Sequence, residues 1–584
     1  MKKRTKIIAT ISDQRCDVEF IRSLYEAGMN AARINSAHVT TESAAKVVEN
    51  VRKVSDRIAI IIDTKGPEIR VTGMAPGFET GIKVSRGDMI RIKGSETNEP
   101  SNNEVVYVND SSIYKDVPVG AAILIDDGEL EMEVTEKKDD ELICRVKNNG
   151  VIKPRKSVNI PNVPINLPSV TERDFEFINW AIDMDIDFIA HSFVRKKEDV
   201  LAVKKIIEER NSTIKIISKI ENQEGVNNID EILDETYGIM VARGDLGVEI
   251  PAERIPGTQR FLVNKCIESK IPVIIATQML HTMISNPRPT RAEISDVANA
   301  IYQRVDAVML SGETANGDYP VEAVETMARV AAEVEKDHSN PNIEMNLVRI
   351  NNEITAQLCR SAVRATLNLP VKAIVIDTLS GRTGRYLAAF RSQKPVFAVC
   401  YRKSVMRHLA ISYGIHAIYS EPSINHEGFL LSILYYLEEK KWLSKEDLIV
   451  VLGGSFGAAK GASFMEIGNV LNLEHKALTN ACRNLLHPNE KEARHYKKIR
   501  GERHVHPLSF TFGCYLHLYR QALPQLLQGR IHIPGRHLFN TSSIIYILRA
   551  AARRAKPQGR CQPGPAFHPP QGLPRPGQRT PPSL

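Results

Sequence analysis

Eight short apolar runs, at residues 6–11, 31–34, 58–62, 185–190, 214–217, 238–242, 272–276 and 307–310, are rich in Ile and Val and show no polar alternation. A strand with one wet face alternates, whereas a continuous apolar run of this length fits a strand buried on both faces. Helical patterns such as 18–27, 200–209 and 320–334 lie between the runs. Strand and helix alternating eight times predict an α/β fold, a closed (β/α)8 TIM barrel, with its chemistry on the loops at the strands' carboxyl ends.

The residues that follow each run are dominated by cations, carboxylates and hydroxyls. Arg33, Asn35 and His38 come after the second; Asp63, Thr64, Lys65, Glu68 and Arg70 after the third; Ser192, Phe193 and Arg195 after the fourth. Lys219 and Glu221, then Arg243 and Asp245, then Thr277 and Gln278, then Ser311, Glu313 and Thr314 complete the ring. Alternate residues of a strand share a face, so Lys219 and Glu221 point the same way and Asp245 follows the next strand. Two carboxylates can then hold a divalent metal beside a cation that meets a phosphate. A structural ion pair at one strand end is the bland alternative. Repetition around the ring favours a site for an anionic, metal-bound substrate.

Six segments carry a family resemblance: Asp63-Thr-Lys-Gly-Pro-Glu-Ile-Arg70, Ile217-Ser-Lys-Ile-Glu-Asn, Met240-Val-Ala-Arg-Gly-Asp-Leu-Gly-Val-Glu249, Ala276-Thr-Gln-Met-Leu, Asn286-Pro-Arg-Pro-Thr-Arg-Ala-Glu293 and Met309-Leu-Ser-Gly-Glu-Thr-Ala315. In order and register, they resemble pyruvate kinase over about residues 3–470. The resemblance implies a cytoplasmic glycolytic enzyme that moves the phosphoryl group of phosphoenolpyruvate to ADP, giving pyruvate and ATP. It implies Mg²⁺ on Glu221 and Asp245, with Lys219 neutralising the phosphoryl group in flight. Arg33 would meet the phosphate, and Asn35, His38 and Arg70 the nucleotide. Gly244 and Asp245 amides with the Thr277 hydroxyl would hold the substrate carboxylate, and Thr277 and Ser311 would stand in the chain that delivers the enolate proton.

The family's K⁺ site matches Asn35, Asp63 and the Thr64 carbonyl, with Glu68 marking the K⁺-dependent branch. Ala37 stands where a serine ligand is usual and cannot coordinate, and Ser36 points the other way in a regular strand, leaving the gap to water. Ser12-Asp13 replaces the usual Gly-Pro after the first strand.

Residues 71–168 change character, with short alternating stretches between Gly, Asn and Asp turns, and read as a small β-barrel lid inserted in a catalytic barrel of residues 1–70 and 169–340. Ile125-Asp-Asp-Gly is typical of that lid in the family; Asp127 either approaches the nucleotide or serves as a hairpin turn residue. Residues 345–470 read as an open α/β regulatory domain. After its first strand, Thr378, Ser380, Gly381, Arg382 and Thr383 enter a helix and can hold the phosphate of a sugar-phosphate effector, with an ordinary capped helix as the alternative.

Residues 471–584 depart from all of this. They hold 9 of the chain's 16 His and 13 of its 31 Pro, with 18 Lys and Arg against 4 Glu and no Asp. Taking those 18 and 4 from the totals of 77 and 69 leaves 59 basic and 65 acidic residues, so the body is mildly acidic and the tail supplies the net +8. Such a stretch buries little core and is expected to be disordered, from a frameshifted or read-through frame or as a basic arm. The eight cysteines form no Cys-x-x-Cys pair, which argues against a zinc site or disulfide framework, and no apolar run is long enough to cross a bilayer.

A homotetramer is what the resemblance implies for assembly. Two other readings remain: a Mg²⁺-dependent barrel aldolase or lyase working on pyruvate or phosphoenolpyruvate enolates, and a nucleic-acid-binding protein acting through its tail, which lacks a recognisable binding motif.

Overall fold

The computed structural model describes residues 3–486 apart from 164, 166, 338–347, 350–352, 422–425 and 455–461, with only the backbone helix over 481–486. Eight parallel strands close a barrel: β1 (Lys6–Thr10), β2 (Ala31–Asn35), β3 (Ala59–Asp63), β4 (Phe188–His191), β5 (Lys215–Ile220), β6 (Gly238–Ala242), β7 (Val273–Ala276) and β8 (Ala307–Leu310). Each pairs with its sequence neighbour, and β1 meets β8 with Lys6 opposite Ala307.

Strand parity decides what lines the barrel. Ile8, Ala31, Ile61, Phe188, Ala190, Ile217, Met240, Ile274 and Met309 point inward and form its dry core, while Ile7, Ile60, Ile62, Ile189, Ile216 and Val241 pack outward under the helices. Two residues further along, the same inward parity reaches Thr10, Arg33, Asp63, Ser192 and Lys219. A polar layer therefore caps the apolar ones at the carboxyl rim.

Helix starts fix the outer ring. Thr171 caps the helix Glu172–Asp183 in a capping box with Asp174, and the same Asp174 carboxylate accepts the Lys65 and Gly66 amides at 2.9 and 3.3 Å. One side chain thus ends a loop and begins a helix. Gly66 has φ 72°, and a β-carbon there would lie 2.7 Å from the Phe193 ring, so only glycine fits.

Between β3 and β4 the chain builds a six-stranded sheet and a two-stranded ribbon around their own apolar cluster, including Ile92, Val108, Ile123, Met132 and Leu142. Residues 69–72 join the sheet's two borders, the Val71 amide donating to the Lys156 carbonyl on one side and the Thr72 amide to the Tyr107 carbonyl on the other, each at 2.9 Å, in keeping with the expected small β-barrel.

The last part carries a five-stranded sheet in the order Ile415–Tyr419, Val396–Cys400, Val371–Thr378, Leu448–Gly453, Phe464–Asn469. Its final strand is antiparallel, so the sheet is mixed. It docks under the barrel's amino end through buried charge: Arg407 meets Asp187 and, at 2.6 Å, Asp185, while Arg391 meets Asp306 at 2.7 Å.

The expected tail start at residue 471 needs correction. Val470–Leu486 is a helix, with Leu473 and Ala477 in the apolar cluster of Phe429 and Leu434 and Glu474 paired to Lys445 at 2.6 Å. Apolar spacing at 470, 473 and 477 is what lets it bury one face. The rest of the basic tail, 487–584, lies outside the described residues. Among the described residues no helix is long and apolar enough to cross a membrane.

Candidate active site

Lys219 occupies the centre of the polar rim. Its ammonium lies 2.9 Å from an Asp63 oxygen, 2.9 Å from a Glu221 oxygen and 2.7 Å from the Ser192 hydroxyl. Asp63 also takes the Arg33 guanidinium at 2.6 Å, because β2 and β3 pair in a register that sets Arg33 beside Ile61 and Asn35 beside Asp63. Ser192 donates to the Thr64 carbonyl at 2.6 Å, since β4 pairs with β3 across the inserted segment. Glu221's second oxygen accepts the Phe193 amide at 2.7 Å, and Phe193 itself is left-handed with φ 55°.

Asp63 and Glu221 are buried, whereas the Asp245 residue is exposed at the cleft. Burial would lift the Asp63 carboxyl, but Arg33 and Lys219 outweigh it and hold it below the usual carboxylate range. Burial pushes Glu221 up to about 7, with Lys219 opposing and Asp245 adding. Asp245 is raised as well, first by the protein packed around its carboxyl, with Lys219 opposing and Asp127 and Asp63 adding to it. The Lys219 ammonium, despite its own burial, is held charged by Asp63 and Glu221. With both raised acids ionised, three acids against two bases carry one net negative charge, which a divalent cation would offset. Among the described residues no group of three or more His, Cys, Asp or Glu side chains could hold a metal, so Glu221 and Asp245 would share the ion with substrate and water oxygens.

A cleft of about 610 Å³ opens over this cluster, lined by Glu221, Asp245 and Phe193 from the barrel and by Arg70, Asp127 and Lys156 among others from the inserted segment and its hinge. Asp126 and Asp127 form the left-handed turn after Ala122–Ile125, and Ser157 donates to Asp127 at 2.9 Å. Turn residue and cleft wall are the same side chain. Lys156 pairs with Asp126 at 2.6 Å on that wall.

The carboxylate loops meet at Thr277. Its hydroxyl donates to the Ala276 carbonyl at 2.7 Å and accepts the Gly244 amide at 2.8 Å. A β-carbon on Gly244 would meet the Thr277 hydroxyl at 3.4 Å, an ordinary contact. The Gly244 amide is therefore spent on Thr277 in this state. Ser311 ends β8, its amide donating to Glu313 at 2.7 Å.

Other expected members stand further out. Arg70 pairs with Glu68 at 2.6 Å, and His38 is exposed on the loop after β2. Asn35 accepts the Ala37 amide at 3.1 Å, and Thr64's carbonyl is taken by Ser192. The buried Ser36 hydroxyl has no partner among the described residues, in keeping with its turning away from the site. In the last sheet, Thr378 accepts the Gly381 amide at 2.9 Å, Arg382 pairs with Glu353 at 2.7 Å, and Thr383 is buried. One contact and one candidate were missed from sequence. Ser192 sat in the ring of loop residues with no signal for its contact with Lys219; Lys156 was one cation in Lys153-Pro-Arg-Lys156, whose cleft position no local pattern gives.

A family profile described as "Pyruvate kinase, barrel domain" matches residues 2–324, and one described as "Pyruvate kinase, alpha/beta domain" matches 356–468. A pyruvate kinase of Borreliella burgdorferi is 46% identical over 475 residues, 80% of this chain and 98% of that relative. One of Geobacillus stearothermophilus is 44% identical over 464 residues, 78% of each. A solved pyruvate kinase of Cryptosporidium parvum, 35% identical with a TM-score of 0.76, covers 80% of this chain and 96% of its own. Neither the aldolase or lyase reading nor the nucleic-acid reading draws support from these matches. The chain belongs to the pyruvate kinase family, and its reaction is transfer of the phosphoryl group of phosphoenolpyruvate to ADP.

Proposed function

We propose that Lys219, Glu221 and Asp245 form the phosphoryl-transfer centre, a reading supported above all by Lys219 lying 2.9 Å from both Asp63 and Glu221, with Glu221 and Asp245 lining the cleft. Phosphoryl transfer spreads charge over the moving oxygens, so positioned cations do most of the work. Lys219 stays charged and faces that developing charge; Arg33, braced by Asp63, orients the phosphate. Mg²⁺ held by Glu221 and Asp245 supplies further neutralisation of substrate oxygens. The substrate carboxylate takes the Gly244 and Asp245 amides with the Thr277 hydroxyl, displacing the present Gly244–Thr277 bond. Thr277 and Ser311 then stand where a proton chain to the enolate carbon begins.

The nucleotide lies toward Arg70, with Lys156 and Asp127 on the same side of the cleft, and Asn35 and His38 toward the phosphates. Closure of the inserted segment excludes water from the transfer. A K⁺ ion would take Asn35, Asp63 and the Thr64 carbonyl, with water in place of the ligand that Ala37 lacks. The loop of Thr378, Ser380, Gly381, Arg382 and Thr383 is the place for a sugar-phosphate effector, supported by its helix start and by Arg382. A homotetramer in the cytoplasm completes the reading; the five described cysteines, all free and buried, suit a reducing compartment.

The test is a coupled assay of pyruvate formation from phosphoenolpyruvate, with and without ADP, Mg²⁺ and K⁺. Dependence on ADP and Mg²⁺, with weak K⁺ activation, is expected. Mg²⁺-dependent turnover without ADP would overturn the assignment of the centre.

A further inference from the structure

Thr277 and Gln278, the two residues after β7, both occupy the left-handed region, at φ 67° and 53°. A β-branched residue is a true outlier there, and such strain persists only where the surroundings hold it. Arg243 provides the hold. Its Nη2 donates to the Thr277 carbonyl at 2.8 Å and the Gln278 carbonyl at 3.3 Å, and lies 2.9 Å from the Met279 sulfur. Its Nη1 is fixed by Asp296 at 2.7 Å, from the helix Arg291–Tyr302. A planar guanidinium can satisfy these diverging acceptors at once, which a point charge cannot. The Thr277 hydroxyl has its own bonds to Ala276 and Gly244, so its direction follows from the backbone that Arg243 grips.

We propose that the Arg243–Asp296 pair is a positioning device that keeps the Thr277–Gln278 turn left-handed and so aims the Thr277 hydroxyl and the Gly244 amide at the substrate carboxylate. It rests on the role given to Thr277 above. Asp296, 39% exposed on its side chain, acts only through Arg243, and Arg243 only through the turn.

The experiment measures kcat, KM for phosphoenolpyruvate and for ADP, and melting temperature in Asp296→Asn, alone and combined with Gln278→Gly. Asp296→Asn should lower kcat about ten-fold, since small misplacements of a binding group cost that much or more, with KM for ADP unchanged. Glycine adopts the left-handed turn without steric cost, so Gln278→Gly should restore most of the lost rate in the double variant. A purely structural ion pair predicts no such rescue. Equal loss in both backgrounds, or full activity in Asp296→Asn, overturns the proposal. Arg243→Lys, with the same rescue expected, serves should Asp296→Asn fail to fold. Thr277→Ala separates the two layers: full activity there removes the role of Thr277 itself, whereas a crippled Thr277→Ala beside silent Asp296→Asn and Arg243→Lys removes only the clamp.

Discussion

Lys219 and Glu221, two residues apart at the end of one strand, meet side chain to side chain at 2.9 Å in a fully buried setting. A cation and an acid so close neutralise each other only in part, because Asp63 claims the same ammonium and Asp245 crowds the same acid. The arrangement is ready to part when a metal takes the acid and a phosphate takes the ammonium.

Replacing Lys219 by Met keeps the stem and removes the charge. Phosphoryl transfer should fall by about two or more orders of magnitude, the loss expected for a preorganised transition-state cation. Circular dichroism should stay that of the parent, because Glu221 is already poised to take a proton. A near-normal rate would take Lys219 out of this role.

Asp245→Asn halves the acidic pair. Mg²⁺ affinity, followed by calorimetry without substrate, should weaken by about ten-fold or more. Unchanged affinity would place the metal elsewhere.

Two buried histidines and a half-buried one make stability sensitive to acid. Burial lowers the imidazole of His191 to about 4, of His408 to about 3, and of His416 well below its usual value. Freed by unfolding, each protonates near pH ~6.5. From there down to about pH 4 the unfolded chain binds protons that the folded chain refuses, so stability drops as pH drops. Melting temperature should therefore fall between pH 7 and 5, less steeply in His408→Phe. A flat profile would show that these rings are solvated.

The end of the folded part can be found by truncation. Deleting 487–584 should leave kcat and melting temperature unchanged. Deleting from 471 removes the buried Leu473 and Ala477, and burial of one Leu side chain alone is worth about 1.5–3 kcal/mol, so the melting temperature should fall by several degrees. Equal stability of the two truncations would make the helix Val470–Leu486 an ornament.

The barrel was legible because a strand buried on both faces leaves a plain trace: the run at 238–242 and β6 coincide residue for residue. Parity then gave Lys219 and Glu221 one face without any knowledge of the fold. What sequence could not give were facts made by distant pairing. Ser192 meets the Thr64 carbonyl across 128 residues, and only the β3–β4 ladder brings them together. Thr277's left-handed backbone runs against its own preference, so no local pattern announces it. The antiparallel strand Phe464–Asn469 escaped notice for a simpler reason: as a half-buried edge holding Glu466 and Gly468, it has no continuous apolar run.

The β1–β8 seam, with Lys6 opposite Ala307, has a cost during synthesis. Until residue 310 has left the ribosome, β1 has no neighbour on that side, and its N–H and C=O groups stand open to any other strand. A nascent chain stalled before that point is a curled sheet with two raw borders, and shielding by a chaperone matters most over that interval.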